Sequence, residues 1–243
     1  MTIAPGGGKR IIILASSADA VAIDLPARLA RSDIAVVTPT DLSQPGWSYR
    51  PGRRESAIVV GGEMLQCHDI AAVVTRLPWV SDVELPHIVA SDRSYVAAEM
   101  GAFLLAWLSE IDCPVANRPR PNCLCGPFWR HERWVLEAAR IGLEVEPALR
   151  RASADGGEYM SATVTRRASV TVVGERCVGE VDGQLGAAAL RLARATGVET
   201  LTAQFADFGA GMRFFTANPW PRLEDDDTAI ALLDHLVAPA GVP

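Results

Sequence analysis

Few residues in this chain are placed to do chemistry. Asn218 closes an apolar, strand-like run, FFTANPWPRL (214–223), and Pro219, Trp220 and Pro221 stop regular structure directly after it. A carboxamide in that position either starts a turn through its own side chain or lends an oxygen to a hard divalent cation beside a phosphate. An acidic run, Glu224, Asp225, Asp226 and Asp227, follows at once. Carboxylates there suit the positive end of a helix dipole, and their oxygens also suit a divalent cation. Cys123 and Cys125 stand close to His131. Thiolates and imidazole together bind zinc, but the spacing fits no finger or ribbon, and no second cysteine pair follows. A reactive thiolate would need a basic neighbour such as His131 or Arg130, and the sequence alone establishes no such contact. Cys67, His68, His87 and His235 lie in no motif. GGGKR (6–10) has the glycines of a phosphate loop, but it precedes the first strand, and Arg10 follows the lysine where Ser or Thr belongs. An N-terminal tail is the expectation there.

Composition narrows the classes. The chain has 243 residues, enough for one large core or two small ones. A net charge of −6 disfavours a general nucleic-acid binder, which needs a basic face. The longest apolar run, GAFLLAWL (101–108), is too short to span a bilayer, and the N-terminus lacks the order of a signal peptide. Five scattered cysteines fit reduced thiols better than a disulfide framework. These features predict a soluble, cytoplasmic protein with neither nucleic acid nor membrane as partner. Lys9 is the one lysine among 23 basic residues; any chemistry that needs a lysine is correspondingly limited.

The elements that would position these residues read as α/β. RIIILAS (10–16), DIAVVTP (33–39) and IAAVVTRLP (70–78) are apolar runs suited to strands buried on both faces of a parallel sheet. A helix is expected over 24–32, capped by Asp24, and the strongest helix over 91–111, capped by Ser91 or Asp92. Gly61 and Gly62 mark a hairpin over 56–66. A further helix is expected over 130–142. The chain turns polar after Pro147. A hairpin (170–181), a helix (185–198), an antiparallel strand pair (200–207 and 212–218) and a closing helix (226–238) follow.

The landmarks SAIVVGGEMLQCHDI, AVVTRLP, YVAAEMGAFLLAWL, VANRP and AARIGLEVEP, in this order, resemble the N-terminal half of ATP-grasp ligases, especially those that modify ribosomally made peptides and the related RimK-type ligases. The matching positions are Asp69, Ile70, Val73, Val74, Arg76, Glu99, Asn117, Pro119, Ala138, Gly142 and Pro147. VTVVGERCVGEV, TAQFAD and MRFFTANPWPRL resemble the C-terminal part of the same ligases. The resemblance implies an α/β fold with a pre-ATP-grasp-like parallel sheet and flanking helices over 1–147. It implies a linker over 148–169 in place of a lid subdomain, and the remnant of an α+β lobe with an antiparallel sheet over 170–243. It further implies magnesium at Asp207 and Asn218, nucleotide beside these two with Arg130 and His131, and substrate near Arg76, Arg118 and Asn117.

The chain departs from that pattern in three places. Thr216 stands where the family has a glutamate, residues 148–169 leave no room for a lid, and Arg130 or His131 stands where a phosphate lysine falls. Arginine is not a neutral replacement for a lysine's point charge. The expectation is therefore a degenerate, non-catalytic ATP-grasp-like protein that serves as a partner, scaffold or ligand-binding subunit and has no cofactor. Two alternatives stay open. One is an active ATP- and magnesium-dependent carboxylate–amine ligase completed by another subunit. The other is an unrelated α/β enzyme or binding protein built on Cys123, Cys125 and His131. The expected partners are a second protein subunit or a peptide, and a homo-oligomer is compatible with both.

Overall fold

The structure is a computed structural model and describes residues 8–50, 56–147, 164–209 and 211–238. In chain order the elements begin β1 (Arg10–Ala15), α1 (Ala20–Arg28), β2 (Ile34–Val37), α2 (Pro39–Leu42), β3 (Ala57–Val60), β4 (Glu63–Gln66), β5 (Ile70–Arg76), α3 (Arg93–Glu110) and β6 (Val115–Ala116). They continue with α4 (His131–Arg140), β7 (Arg166–Val173), β8 (Arg176–Val178), α5 (Gly183–Thr196), β9 (Thr200–Asp207), β10 (Met212–Asn218) and α6 (Asp226–Val237). They form two compact units, Met1–Phe128 with Pro221–Pro243, and Trp129–Trp220.

The first unit is built on a parallel sheet of order β2-β1-β5-β6. Ile11, Ile12, Ile13 and Leu14 are fully buried, as expected for a strand covered on both faces. Leu104, Trp107 and Leu108 of α3 pack into the same core, and each such side chain contributes about 1.5–3 kcal/mol. Gly61 (φ 56°) and Gly62 (φ 82°) turn the β3–β4 hairpin with the positive φ angles that its two-residue loop requires. Asp19, not Asp24, caps α1: its Oδ1 accepts a hydrogen bond from the Ala22 amide at 3.2 Å. Ala30, at φ 51°, stands in a left-handed conformation just after that helix.

The closing helix belongs to this unit rather than to the antiparallel sheet. Ala229, Leu232, Leu233 and Leu236 of α6 are buried, and the helix packs against β5. Arg28 of α1 donates to Asp226 at 2.7 Å and to the Leu223 carbonyl, and Arg31 lies 3.7 Å from Asp234.

The second unit is an antiparallel sheet of order β10-β9-β7-β8 with α4 and α5 on one face. Trp134, Ala138, Ala189 and Leu192 from the helices meet Val172, Leu201, Phe205 and Phe214 from the strands. Asp182 caps α5 through Gln184 N (2.9 Å) and Leu185 N (3.1 Å), and Gly197 ends it at φ 64°. The chain divides at Phe128, earlier than the expected boundary after Pro147. The amphipathic α4 buries its apolar face on β10, and the segment after it continues the pairing. The Phe214 amide donates to the Glu144 carbonyl at 2.8 Å, and the Glu146 amide to the Phe214 carbonyl at 2.9 Å. Of the expected linker, residues 166–169 open β7, while 148–163 lie outside the described residues, as does most of the N-terminal tail. Among the described residues no helix is long and apolar enough to cross a membrane.

Candidate functional site

Asn218 ends β10, and the register across β9 and β7 defines its surroundings. After a bulge between Phe214 and Thr216, Thr216 lies opposite Gln204 and Asn218 opposite Thr202. On the next strand Ser169 lies opposite Gln204 and Thr171 opposite Thr202. Because strand side chains alternate, Ser169, Thr171, Thr202, Gln204, Thr216 and Asn218 share one face, while Val170, Ala203 and Phe205 turn to the core. The Thr171 and Thr202 hydroxyls lie 3.3 Å apart and are buried. A hollow of about 280 Å³ opens on this face, lined by Arg167, Ser169, Gln204 and Phe215 among others. These six polar groups are hydroxyls and carboxamides. None is a carboxylate.

Asn218 and Asp207 do not converge, which corrects the expected metal pair. Asp207 lies opposite Met212, at the far end of the ladder from the Asn218–Thr202 pair. Five strand steps part Thr202 from Asp207, roughly 17 Å at the rise of an extended strand. Magnesium ligands must all lie about 2.1 Å from one ion. Each side chain is also engaged locally. Asp207 Oδ1 accepts from the Gly209 amide (2.7 Å) and the Gly211 amide (3.1 Å), closing the β9–β10 turn. Asn218 Oδ1 accepts from the Trp220 amide at 2.9 Å and pins the turn at Pro219. Arg130 is exposed, and its carbonyl accepts the first amide of α4, from Arg133 at 3.0 Å. The His131 ring lies 5.1 Å from that of Phe215, the residue at the β10 bulge.

In the first unit, the three residues expected near substrate are each engaged with or packed against the chain's own groups. Arg76 ends β5 and is 5% exposed. Its Nε donates to Asp19 Oδ2 at 2.7 Å, its Nη2 to Asp19 Oδ1 at 3.3 Å, and its Nη1 to Glu224 Oε1 at 3.3 Å and to the Pro221 carbonyl. The guanidinium thus ties the end of β5 to the cap of α1 and to the segment that leads into α6. Arg118 caps α3 by donating to the carbonyls of Leu108 (3.1 Å) and Ile111 (3.3 Å). Asn117 is 3% exposed with φ 50°, and Gly126 packs so closely on it that an added Cβ would lie 2.9 Å from the Asn117 Cβ. The crevice at the carboxyl ends of β1 and β5 is where an open parallel sheet binds ligands, since the strand order reverses there. Here the chain's own groups occupy it: beside the Arg76–Asp19 pair, Glu84 accepts from the Ser17 amide at 3.0 Å.

No family model matches this sequence, and no curated protein matches it. Solved structures do. The chain superposes on a RiPP-associated ATP-grasp ligase of Chryseobacterium gregarium, solved with ADP and a leader and core peptide, with a TM-score of 0.62 at 12% identity, covering 94% of this chain and 96% of that one. On the ATP-grasp ligase PsnB, solved with a phosphomimetic variant of its minimal precursor, magnesium and ADP, the TM-score is 0.67 at 14% identity, covering 96% and 99%. On the macrocyclase MdnB of Microcystis aeruginosa MRC it is 0.68 at 16%, covering 95% and 100%. This chain has the fold of the peptide-modifying ATP-grasp ligases.

On this ATP-grasp fold, the polar sheet face is a poor fit for magnesium. A hard divalent cation takes charged oxygens, and the described groups around Asn218 are neutral. Gln204 is the residue that sequence reasoning missed. The family resemblance implied Asp207 through TAQFAD, yet the bulge shifts β10 so that Gln204 faces Thr216. The alternation Thr200, Thr202, Gln204 was the available signal. Cys123 and Cys125 are both buried, in the first unit. A hydrogen bond from Cys125 holds Cys123 down to about 7, and burial pushes Cys125 far up. Among the described residues, no group of three or more His, Cys, Asp or Glu side chains could hold a metal ion.

Proposed function

We propose that this protein is a non-catalytic ATP-grasp-fold subunit that engages a peptide or a partner protein, in the manner of a binding module rather than a ligase. One observation carries the reading: Gln204 faces Thr216 beside Asn218, so the six groups aligned with Asn218 across the sheet are neutral hydrogen-bonding groups, with Arg167 as a charged residue in the adjoining hollow. Phosphoryl transfer relies on preorganised cations and metal ions, and Lys9 is the one lysine available. A face of hydroxyls and carboxamides suits peptide amides, each of which offers one donor and one acceptor. The structural neighbours solved with precursor peptides support a peptide as the partner. On this reading the stretch 148–169, of which 166–169 open β7, stands where the ligases carry a lid subdomain. We place the protein in the cytoplasm, where its cysteines stay as free thiols.

The competing reading, an active ligase completed by a second subunit, draws on the retained Asn218 and on neighbours solved with magnesium and ADP. Equilibrium binding of a fluorescent ATP analogue to the purified chain in the presence of magnesium separates the two, because a ligase completed by a second subunit still has to hold its nucleotide. No saturable binding in the micromolar range is expected. Saturable binding that is lost when magnesium is removed would support the ligase reading instead.

A further inference from the structure

Cys123 and Cys125 flank Leu124 in the loop after β6, and the proposed peptide-binding role uses neither thiol. Backbone contacts fix this loop. The Arg120 amide donates to the Cys123 carbonyl at 2.9 Å and the Cys123 amide to the Arg120 carbonyl at 3.0 Å, closing a tight turn. The Leu124 amide donates to the Pro78 carbonyl at 2.9 Å, and the Leu124 side chain is buried in the core of the first unit. Gly126 follows at φ 103°, packed on Asn117. Between these anchors the two cysteine side chains meet: the Cys123 sulfur accepts hydrogen bonds from both the thiol and the backbone amide of Cys125. We propose that Cys123 and Cys125 are a peroxide-reactive redox pair, a dithiol that closes to an intramolecular disulfide.

The arrangement separates the two roles that such a pair needs, an attacking sulfur and a resolving one. The attacking sulfur must be anionic and reachable. Hydrogen bonds from Cys125 hold the Cys123 thiol down to about 7 against the opposing effect of burial, and donors to the charged form achieve this without a basic neighbour. Cys123 is 6% exposed and Cys125 2%, so the more anionic sulfur is also the more accessible one. Burial, followed by the hydrogen bond to Cys123 and its charge, pushes the Cys125 thiol far up, so it waits protonated. Hydrogen peroxide is small enough for such a site. It transfers one oxygen to the Cys123 thiolate, giving a sulfenic acid and releasing hydroxide. The anion that raised Cys125 is then gone, while the Arg76 guanidinium still favours the Cys125 thiolate. The Cys125 sulfur attacks the sulfenic sulfur, the S–O bond breaks, and the oxygen leaves as water with the Cys125 proton. The two sulfurs lose two electrons, and one peroxide gains them. Because the sulfurs start in hydrogen-bond contact, a short movement brings them to the roughly 2.05 Å of a disulfide. Cys67 and Cys113 show the contrasting state of thiols that only pack: burial pushes Cys67 up and Cys113 up to about 11.

The test is treatment of the reduced full chain with limiting hydrogen peroxide, then N-ethylmaleimide under denaturing conditions and residue-level mass spectrometry. Cys123 and Cys125 should both escape labelling, with the loss of two hydrogens between them, and dithiothreitol should restore both. Cys67, Cys113 and Cys177 should oxidise at least about ten-fold more slowly. In Cys125→Ser the resolving sulfur is missing, so dimedone should trap Cys123 as its sulfenic acid several-fold more than in the unaltered chain. In Cys123→Ser, Cys125 should oxidise no faster than Cys113. The labelling pattern of the unaltered chain decides the matter even where a variant fails to fold. Oxidation of Cys123 and Cys125 no faster than that of Cys67 and Cys113, a disulfide from either to another cysteine, or a product that dithiothreitol does not reverse would overturn the proposal.

Discussion

The carboxyl end of the parallel sheet and the polar face of the antiparallel sheet treat their polar groups in opposite ways. At the first, a guanidinium 5% exposed meets the carboxylates of Asp19 and Glu224 and the Pro221 carbonyl. At the second, Gln204, Thr216, Asn218 and their hydroxyl neighbours face one another with no carboxylate among them. Buried charge is costly unless it is paired, so the first cluster must be satisfied by the chain itself and has little left for a ligand. Neutral hydroxyls and amides carry a smaller desolvation penalty and stay available to hydrogen-bond a visitor. The Arg76 cluster thus acts as a clasp within its unit, while the six residues aligned with Asn218 form a neutral hydrogen-bonding surface beside Arg167.

Breaking the clasp should have the largest effect. Arg76→Leu leaves Asp19 nearly buried without its partner and should cost about 3–5 kcal/mol in chemical denaturation. Adding Asp19→Asn should recover part of that loss, because the uncompensated charge is gone. A loss under 1 kcal/mol, roughly the value of an exposed pair, would mean that the cluster is not structural. Gly126→Ala comes next. It places a Cβ 2.9 Å from Asn117 at a position with φ 103°, and about 1–3 kcal/mol of strain is expected, read as a lower thermal midpoint.

Asp225→Ala removes the cap of α6, whose side chain accepts from the Thr228 amide at 2.8 Å, and should cost about 1 kcal/mol. Thr228 holds the Asp225 carboxyl below its usual range, and Arg31 does the same for Asp33. Both pKa values are depressed in the folded state. Their stabilisation is thus complete above the unfolded carboxylate range and is lost as pH falls through the folded values. Denaturant midpoints measured across the acid range should fall with pH, and less steeply in Asp225→Ala. Asn218→Ala should have the smallest effect, about 0.5–1.5 kcal/mol for the lost turn bond.

The sequence carried the two sheets well, because β1, β2 and β5 are apolar runs with one reading, and Gly61, Gly62 and Gly197 stand where positive φ is needed. Fold class and the ATP-grasp resemblance follow from the order of such elements. What was not legible is set by tertiary register. The bulge after Phe214 decides which β9 residue faces Thr216, and no local pattern reveals it. The acidic start of α6 reads as a helix cap, but nothing local shows that its buried face packs on β5 or that Asp226 pairs with Arg28, 198 residues away in the chain. Arg76 reads equally well as a ligand contact or as a buried pair until Asp19 is placed beside it.

On the proposed reading, the polar sheet face holds neither magnesium nor nucleotide. Calorimetric titration of the purified chain with ATP, with and without magnesium and repeated on Asn218→Ala and on Gln204→Ala, tests it most directly. No saturable heat in the micromolar range is expected for the wild-type chain, and no difference among the variants beyond their stability. Micromolar, magnesium-dependent binding that Asn218→Ala abolishes would contradict it.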